Sequence, residues 1–257
     1  LLDGYVFDLE PVDFLRGLFS RYPLDKPVAP QPPVTAWKGS DSPADVVEKI
    51  IGENTLRDVR LLELALEAAQ AVVRIETPQG VGSGFLCGEG VIMTNHHVLA
   101  EAAAAQASQF TFFYELDRQL KVKPTRIVSA QPEVLFFSDE TLDVALVQVA
   151  SVPAEVTPLR LKRQRVERNQ RVSIIQHPGG HWKKISMQNN FVEYADTQVV
   201  QYSTSTEPGS SGSPVFNDDF EVVAIHHSGG MLAEPNSGRR YLRNAGSSMI
   251  AVLQAVQ

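Results

Sequence analysis

From Ala71 onward the chain is written in short apolar runs separated by turn residues. AVVRIET, GSGFLCG, VIMTNHH, FTFFYEL, LKVKPTRIV, EVLFFS, DVALVQV, RVSIIQ, NFVEYA, QVVQYS, SPVFN and EVVAIHH are each rich in β-branched and aromatic residues and bounded by Gly, Pro, Asn, Asp or Ser. About a dozen such segments predict a mostly β fold, two six-stranded antiparallel β-barrels over residues 71–155 and 170–245 being consistent with the number. Helical periodicity interrupts this pattern in few places. Leu61, Leu62, Leu64, Ala65 and Leu66 share a broad face between Val59 and Gln70, and LAEAAAAQASQ forms a helical insert after the paired histidines. Met249, Ile250, Val252, Leu253 and Val256 predict a C-terminal helix over Gly246–Val256. Upstream, Ser42 reads as an N-cap followed by Pro43 and Asp45, for a helix that stops at Gly52. Phe14, Leu15, Leu18 and Phe19 line one face of a further short helix, and PVAPQPPV after it reads as an extended linker or strap. The organisation expected is therefore an N-terminal helix plus linker over residues 1–40 and one main domain over residues 41–257.

Composition narrows the function classes. The net charge of −7 argues against general nucleic-acid binding, and no apolar run approaches the ~20 residues a membrane-spanning helix requires. Six basic residues between Arg160 and Arg171 read as a solvated connector between the β halves. The single cysteine, Cys87, excludes an internal disulfide. With LLDGYVFDLE lacking a basic leader pattern, a cytoplasmic protein is expected, a secreted bacterial one being the alternative.

The candidate chemistry lies in the histidines and one serine turn. The six histidines form three close pairs, His96/His97, His177/His181 and His226/His227. Neither HExxH nor CxxC occurs, and adjacent histidines on a strand point to opposite faces, so no metal is expected. Gly209-Ser210-Ser211-Gly212-Ser213-Pro214 sets a serine between glycines, a turn able to present a hydroxyl and to aim backbone N–H groups at one point. VIMTNHHV is an apolar strand ending in a polar turn with histidine, and Asp143 opens the apolar strand DVALV. A carboxylate beside a core needs a partner, and an imidazole N–H suits it. Histidine, aspartate and serine in this order fit a nucleophilic triad.

TNHHV, LDVALV and GSSGSPVF resemble the chymotrypsin-fold serine endopeptidases, most of all the V8-type glutamyl endopeptidases of bacteria. The likeness covers residues 50–257 and leaves residues 1–40 without a counterpart. It implies His97 as general base, Asp143 as its orienting acid and Ser211 as nucleophile, with the N–H groups of Gly209 and Ser211 as oxyanion hole. It also implies a substrate pocket of Ser205, Thr206, His226 and Gly229, in which Thr206 and His226 would hydrogen-bond a glutamate side chain, the alternative being that His226 packs under the pocket and small or apolar residues are preferred. Gly229 and Gly230 would pair with the backbone of a protein or peptide substrate. No cofactor is implied. Ser210 stands where trypsin-type enzymes carry the aspartate that receives a freed N-terminus, so Ile50-Ile51-Gly52 lacks that partner. A second class stays open, an idle β-barrel used as a protein-binding module. In either case the N-terminal segment is a candidate attachment to a sensor or effector module.

Overall fold

The helix α1 (Arg60–Ala71) leads directly into the first strand, and the computed structural model describes residues 54–256. The helices expected at Phe14–Phe19 and Ser42–Gly52, the proline-rich linker and the boundary at residue 40 lie outside the described residues. Leu61, Ala68 and Ala71 of α1 are buried while Leu62 and Leu66 stay exposed, so only part of its apolar face is used. β-branched Val72 ends the helix by taking an extended conformation, and Lys183 Nζ accompanies the end by donating to Ala69 O at 2.6 Å. Arg57–Gln257 forms one compact unit. Among the described residues no helix is long and apolar enough to cross a membrane.

Two antiparallel sheets follow. The first contains β1 (Val72–Thr77), β2 (Gly80–Gly88), β3 (Val91–Thr94), β4 (Gln109–Phe112), β5 (Arg126–Ser129), β6 (Phe136–Asp139) and β7 (Val144–Gln148), in the order β5-β4-β1-β2-β3-β7-β6. The five-residue helix α2 (Ala102–Gln106) is the insert expected after the histidines. The second sheet contains β8 (Ser173–Gln176), β9 (Lys184–Ser186), β10 (Phe191–Ala195), β11 (Val199–Ser203), β12 (Pro214–Phe216), β13 (Val222–Ala233) and β14 (Arg240–Ser248), in the order β10-β11-β14-β13-β12-β8-β9. The chain ends in α3 (Met249–Ala255).

Each sheet therefore has seven strands, not the six expected. The two strands without a clear pattern in the sequence are β9, only three residues long, and β14, which opens on Arg240 and carries a further arginine, Arg243, in its middle. Gly246–Ser248 belong to β14 rather than to the C-terminal helix. Gly246 lies opposite His226, and a Cβ there would come within 2.5 Å of Ile225 O, so the close approach of two strands claims this glycine. The helix starts after Ser248, whose side chain caps it by accepting the Ile250 N–H.

The period of two along β8, β12 and β13 divides the core. Ile175, Phe216 and Ile225 join the large cluster around Phe85, Phe110 and Phe112, while their neighbours Ile174, Val215 and Ala224 join a smaller one around Val192 and Tyr202. The large cluster thus runs from the first sheet into the second, and the functional loops are held over it.

Candidate active site

Pairing of β3 with β7 sets the first half of the site. The register Thr94↔Ala145 puts the residues just after β3 beside those just before β7. Asn95, fully buried, donates its Nδ2 to Asp143 O at 2.7 Å, while its own carbonyl accepts the N–H groups of Val98 and Leu99. The turn carrying His97 is thus tied to the backbone of Asp143. Asp143 adopts a left-handed conformation (φ 49°), which aspartate tolerates better than most residues. Its carboxylate holds His97 at two points, Oδ1 accepting the His97 backbone N–H at 3.0 Å and Oδ2 lying 2.7 Å from Nδ1. Burial raises the Asp143 pKa, but the hydrogen bonds from the His97 ring and backbone outweigh it and leave the carboxyl below its ordinary value. His96 turns the other way and is fixed by Ser138 Oγ at 2.8 Å from its Nδ1. His97 remains about half exposed. With Nδ1 engaged by a carboxylate, Nε2 is the ring nitrogen free to take up a proton.

The serine turn arrives from the second sheet and docks on the first. Ser211 O accepts the N–H of Ser83 in β2 at 2.8 Å, and the Gly212 N–H donates to His226 O at 2.8 Å. Gly212 has φ +86°, and a Cβ there would lie 2.1 Å from Ser83 O and 2.3 Å from Thr94 Oγ1. Only glycine admits this contact, which brings Ser211 against the end of β3, three residues before His97. Gly209 is equally constrained, with φ +95° and a Cβ that would meet His177 O at 2.8 Å. Its N–H and that of Ser211 have no hydrogen-bond acceptor among the described residues. Ser210 is buried, and its Oγ accepts the N–H of Glu207, so it closes its own loop.

Of the four residues expected to line a pocket, Thr206 and Gly229 are joined through a fifth, Asn244. Thr206 Oγ1 donates to Asn244 Oδ1 at 2.9 Å, and Asn244 Nδ2 donates to Thr204 O at 2.8 Å. Asn244 lies opposite Gly229, where a Cβ would fall 2.0 Å from Asn244 Oδ1. The carboxamide therefore reaches across from β14 and bridges Gly229 to the Thr204–Thr206 segment. His226 is buried, its Nδ1 2.9 Å from Tyr202 Oη, and burial holds its pKa down to about 3. Ser205 is exposed, its carbonyl taken by Gln176 Nε2 at 2.8 Å. A cleft of about 610 Å³ flanks this wall, lined among others by Gln176, Pro178, Lys184, Ser205, Thr206 and Glu207. β12 pairs with β13 only as far as Ile225, so beyond His226 one edge of β13, including Gly229 and Gly230, has no partner strand among the described residues.

Two site residues were not singled out from the sequence. Asn244 sits in an arginine-rich strand with no motif around it. His227 belonged to a noted pair, and it lies close enough to Asp143 and His97 to feel both: burial lowers its pKa most, Asp143 raises it and His97 lowers it, for a net fall. Cys87 is desolvated, which pushes its thiol up to about 12, and plays no part in the site.

The chain resembles known proteins in sequence and in fold. The sequence profile of the trypsin-like peptidase domain family matches residues 82–225, more than half of the chain. The chain is 35% identical over 218 residues to Uncharacterized protein y4fB of Sinorhizobium fredii, covering 76% of this chain and 33% of that protein. It is 26% identical over 171 residues to a glutamyl endopeptidase of Staphylococcus aureus, covering 61% of this chain and 50% of the other. The chain thus spans a third to a half of the curated relatives it matches. The crystal structure of Deg5 superposes with a TM-score of 0.57 at 18% identity, covering 76% of this chain and 91% of that one, which is a likeness of fold.

Proposed function

This chain belongs to the trypsin-like peptidase domain family, and from that premise we propose that it is a serine endopeptidase acting through His97, Asp143 and Ser211. The observation that carries the reading is the two-point hold of Asp143 on His97 beside a glycine-bracketed serine turn. In the reaction His97 Nε2 takes the proton of Ser211 Oγ as Oγ bonds to the carbonyl carbon of a peptide. Asp143 fixes the imidazole tautomer and stabilises the imidazolium. The N–H groups of Gly209 and Ser211 receive the oxyanion, each such donor being worth about 3–4 kcal/mol in comparable sites. The C–N bond then breaks, the imidazolium proton passes to the leaving amine, and water, deprotonated by the same histidine, releases the acyl group. The free edge of β13 at Gly229 and Gly230 supplies backbone pairing for the substrate as an added strand.

For the residue preceding the cleaved bond, Thr206 and His226 support glutamate, since they occupy the positions that the V8-type resemblance assigns to that recognition. The Asn244 bridge supports a second reading. It occupies the pocket and takes the Thr206 hydroxyl hydrogen, and His226 is neutral and already paired with Tyr202, which together favour a small uncharged side chain. Mapping the bonds cut in a mixed peptide library separates the two, and cuts mainly after Arg, Lys or large aromatics would overturn both.

Labelling with a fluorophosphonate probe tests the enzyme reading. The wild type and His96→Ala should label at Ser211, while Ser211→Ala and His97→Ala should not. A folded wild type that takes up no probe would instead mark the domain as an idle protein-binding β module.

A further inference from the structure

Both N–H groups assigned to the oxyanion belong to peptide units that can rotate, and glycine at position 209 lowers the barrier to flipping one of them. In a trans peptide the C=O and N–H point in opposite directions, so whatever holds the carbonyl aims the N–H. Pro208 O accepts the Gly179 N–H at 2.6 Å, which turns the Gly209 N–H away from the Pro178–Gly180 turn. On the other side of Gly209, its carbonyl accepts the hydroxyl of Ser83 at 2.9 Å. The two peptide planes that define the Gly209 conformation are therefore each fixed from outside the serine turn.

Ser83 does more than this one bond. It is wholly buried in β2, and the same Oγ accepts the His177 N–H at 2.9 Å, anchoring the turn that supplies the Gly179 clamp. Its backbone N–H donates to Ser211 O, and its carbonyl accepts the Thr94 hydroxyl at 2.7 Å. A single residue of the first sheet thus touches the strand leading to His97, both sides of the serine turn and the turn that packs on Gly209. A flip of the Pro208–Gly209 peptide would leave the buried Gly179 turn without its acceptor, and a flip of the Gly209–Ser210 peptide would leave the buried Ser83 hydroxyl without one, which is the physical bias toward the orientation observed.

We propose that Ser83 is a positioning residue for the oxyanion hole: by donating to Gly209 O and by accepting the N–H of His177, whose turn holds Pro208 O, its hydroxyl fixes both peptides flanking Gly209 so that the Gly209 N–H faces the reacting carbonyl. This inference rests on the reading of Ser211 as nucleophile, and its test is separable from that reading. Ser83→Ala removes only the hydroxyl. Ser83→Thr and Ser83→Val form a shape-matched pair that differ by it, and Ser83→Ala carries the test if the branched side chains do not fold. Each variant is titrated for active sites with a fluorophosphonate, so that only folded, competent enzyme is counted. We then measure kcat and KM on a peptide taken from the cleavage map, and inhibition by the corresponding peptide aldehyde, whose tetrahedral adduct places an oxygen in the hole.

Removing a whole oxyanion donor costs about 100–1000-fold, so misaligning one should cost about 10–100-fold in kcat with little change in KM. The aldehyde should weaken by the same factor in Ser83→Ala and Ser83→Val, and Ser83→Thr should restore both. A residue that only stabilised the fold would lower the titre of active enzyme and leave both constants of the remainder unchanged. Constants within about twofold of wild type in Ser83→Ala would overturn the proposal. Absence of labelling in the wild type would instead reject the underlying assignment of Ser211.

Discussion

Replacing Asn244 by alanine gives the sharpest view of the pocket. The carboxamide makes two hydrogen bonds, from Thr206 Oγ1 at 2.9 Å and to Thr204 O at 2.8 Å, and its Oδ1 stands 2.0 Å from where a Cβ on Gly229 would be. At about 1 kcal/mol per hydrogen bond, the half-buried side chain contributes roughly 2 kcal/mol to stability, a loss that leaves the domain folded. Function should change by more. Space for one additional methylene is worth about 1–3 kcal/mol of transition-state binding, or roughly 10–200-fold. The ratio of kcat/KM for a peptide with leucine before the cleaved bond to that for one with alanine should therefore rise at least about tenfold in Asn244→Ala. The assay is a matched series varied only at that residue (Ala, Val, Leu, Met, Glu), with folding checked by urea denaturation. An unchanged profile in a folded variant would show that Asn244 does not limit the pocket.

Two further outcomes concern stability. Burial holds His177 and His226 neutral down to about pH 3, whereas in the unfolded chain they protonate near pH 6.5, so the unfolded state binds more protons between these values. Stability should be complete above pH 6.5 and fall toward pH 3 by up to about 1.4 kcal/mol per pH unit for each histidine; urea midpoints from pH 7.5 to 4.5 measure this, and His177→Asn should flatten the slope. Asp143 acts in the same direction at lower pH, since its depressed pKa lends stability above the ordinary carboxylate range that is lost as the pH drops through the folded value. Lys183 is 4% exposed, sits 3.0 Å from Glu115 and donates to Ala69 O. Lys183→Met should cost about 2 kcal/mol by urea denaturation through the lost bonds to Glu115 and Ala69 O, while Glu115 keeps Lys123 at 2.6 Å; a cost below about 0.5 kcal/mol would refute this account.

How much of this was legible in the sequence depends on how local the signal is. Strand period, helical period and the glycines of G-S-S-G-S-P act within a few residues, so most strands, α1 and the serine turn could be read directly. Asp143 could be paired with the His96/His97 stretch because an acid opening an apolar strand requires a partner; the family resemblance chose His97, and the register Thr94↔Ala145 sets the two side by side. β14 was hidden because its arginines break the apolar alternation. Arg243 is nonetheless buried, with Glu234 at 2.9 Å across the hairpin meeting its charge, a condition that exists only once β13 and β14 pair.

By itself the sequence determined the mostly β architecture, which rests on periodicity, and proposed the candidate triad through motifs that resemble a known family. Tertiary structure alone decided what surrounds them. Asn244 reaches Thr206 from 38 residues away, and Ser83 reaches Gly209 from 126. Neither residue carries a local pattern, because an amide or a hydroxyl becomes a pocket wall or a clamp only through the groups the fold sets within hydrogen-bonding distance.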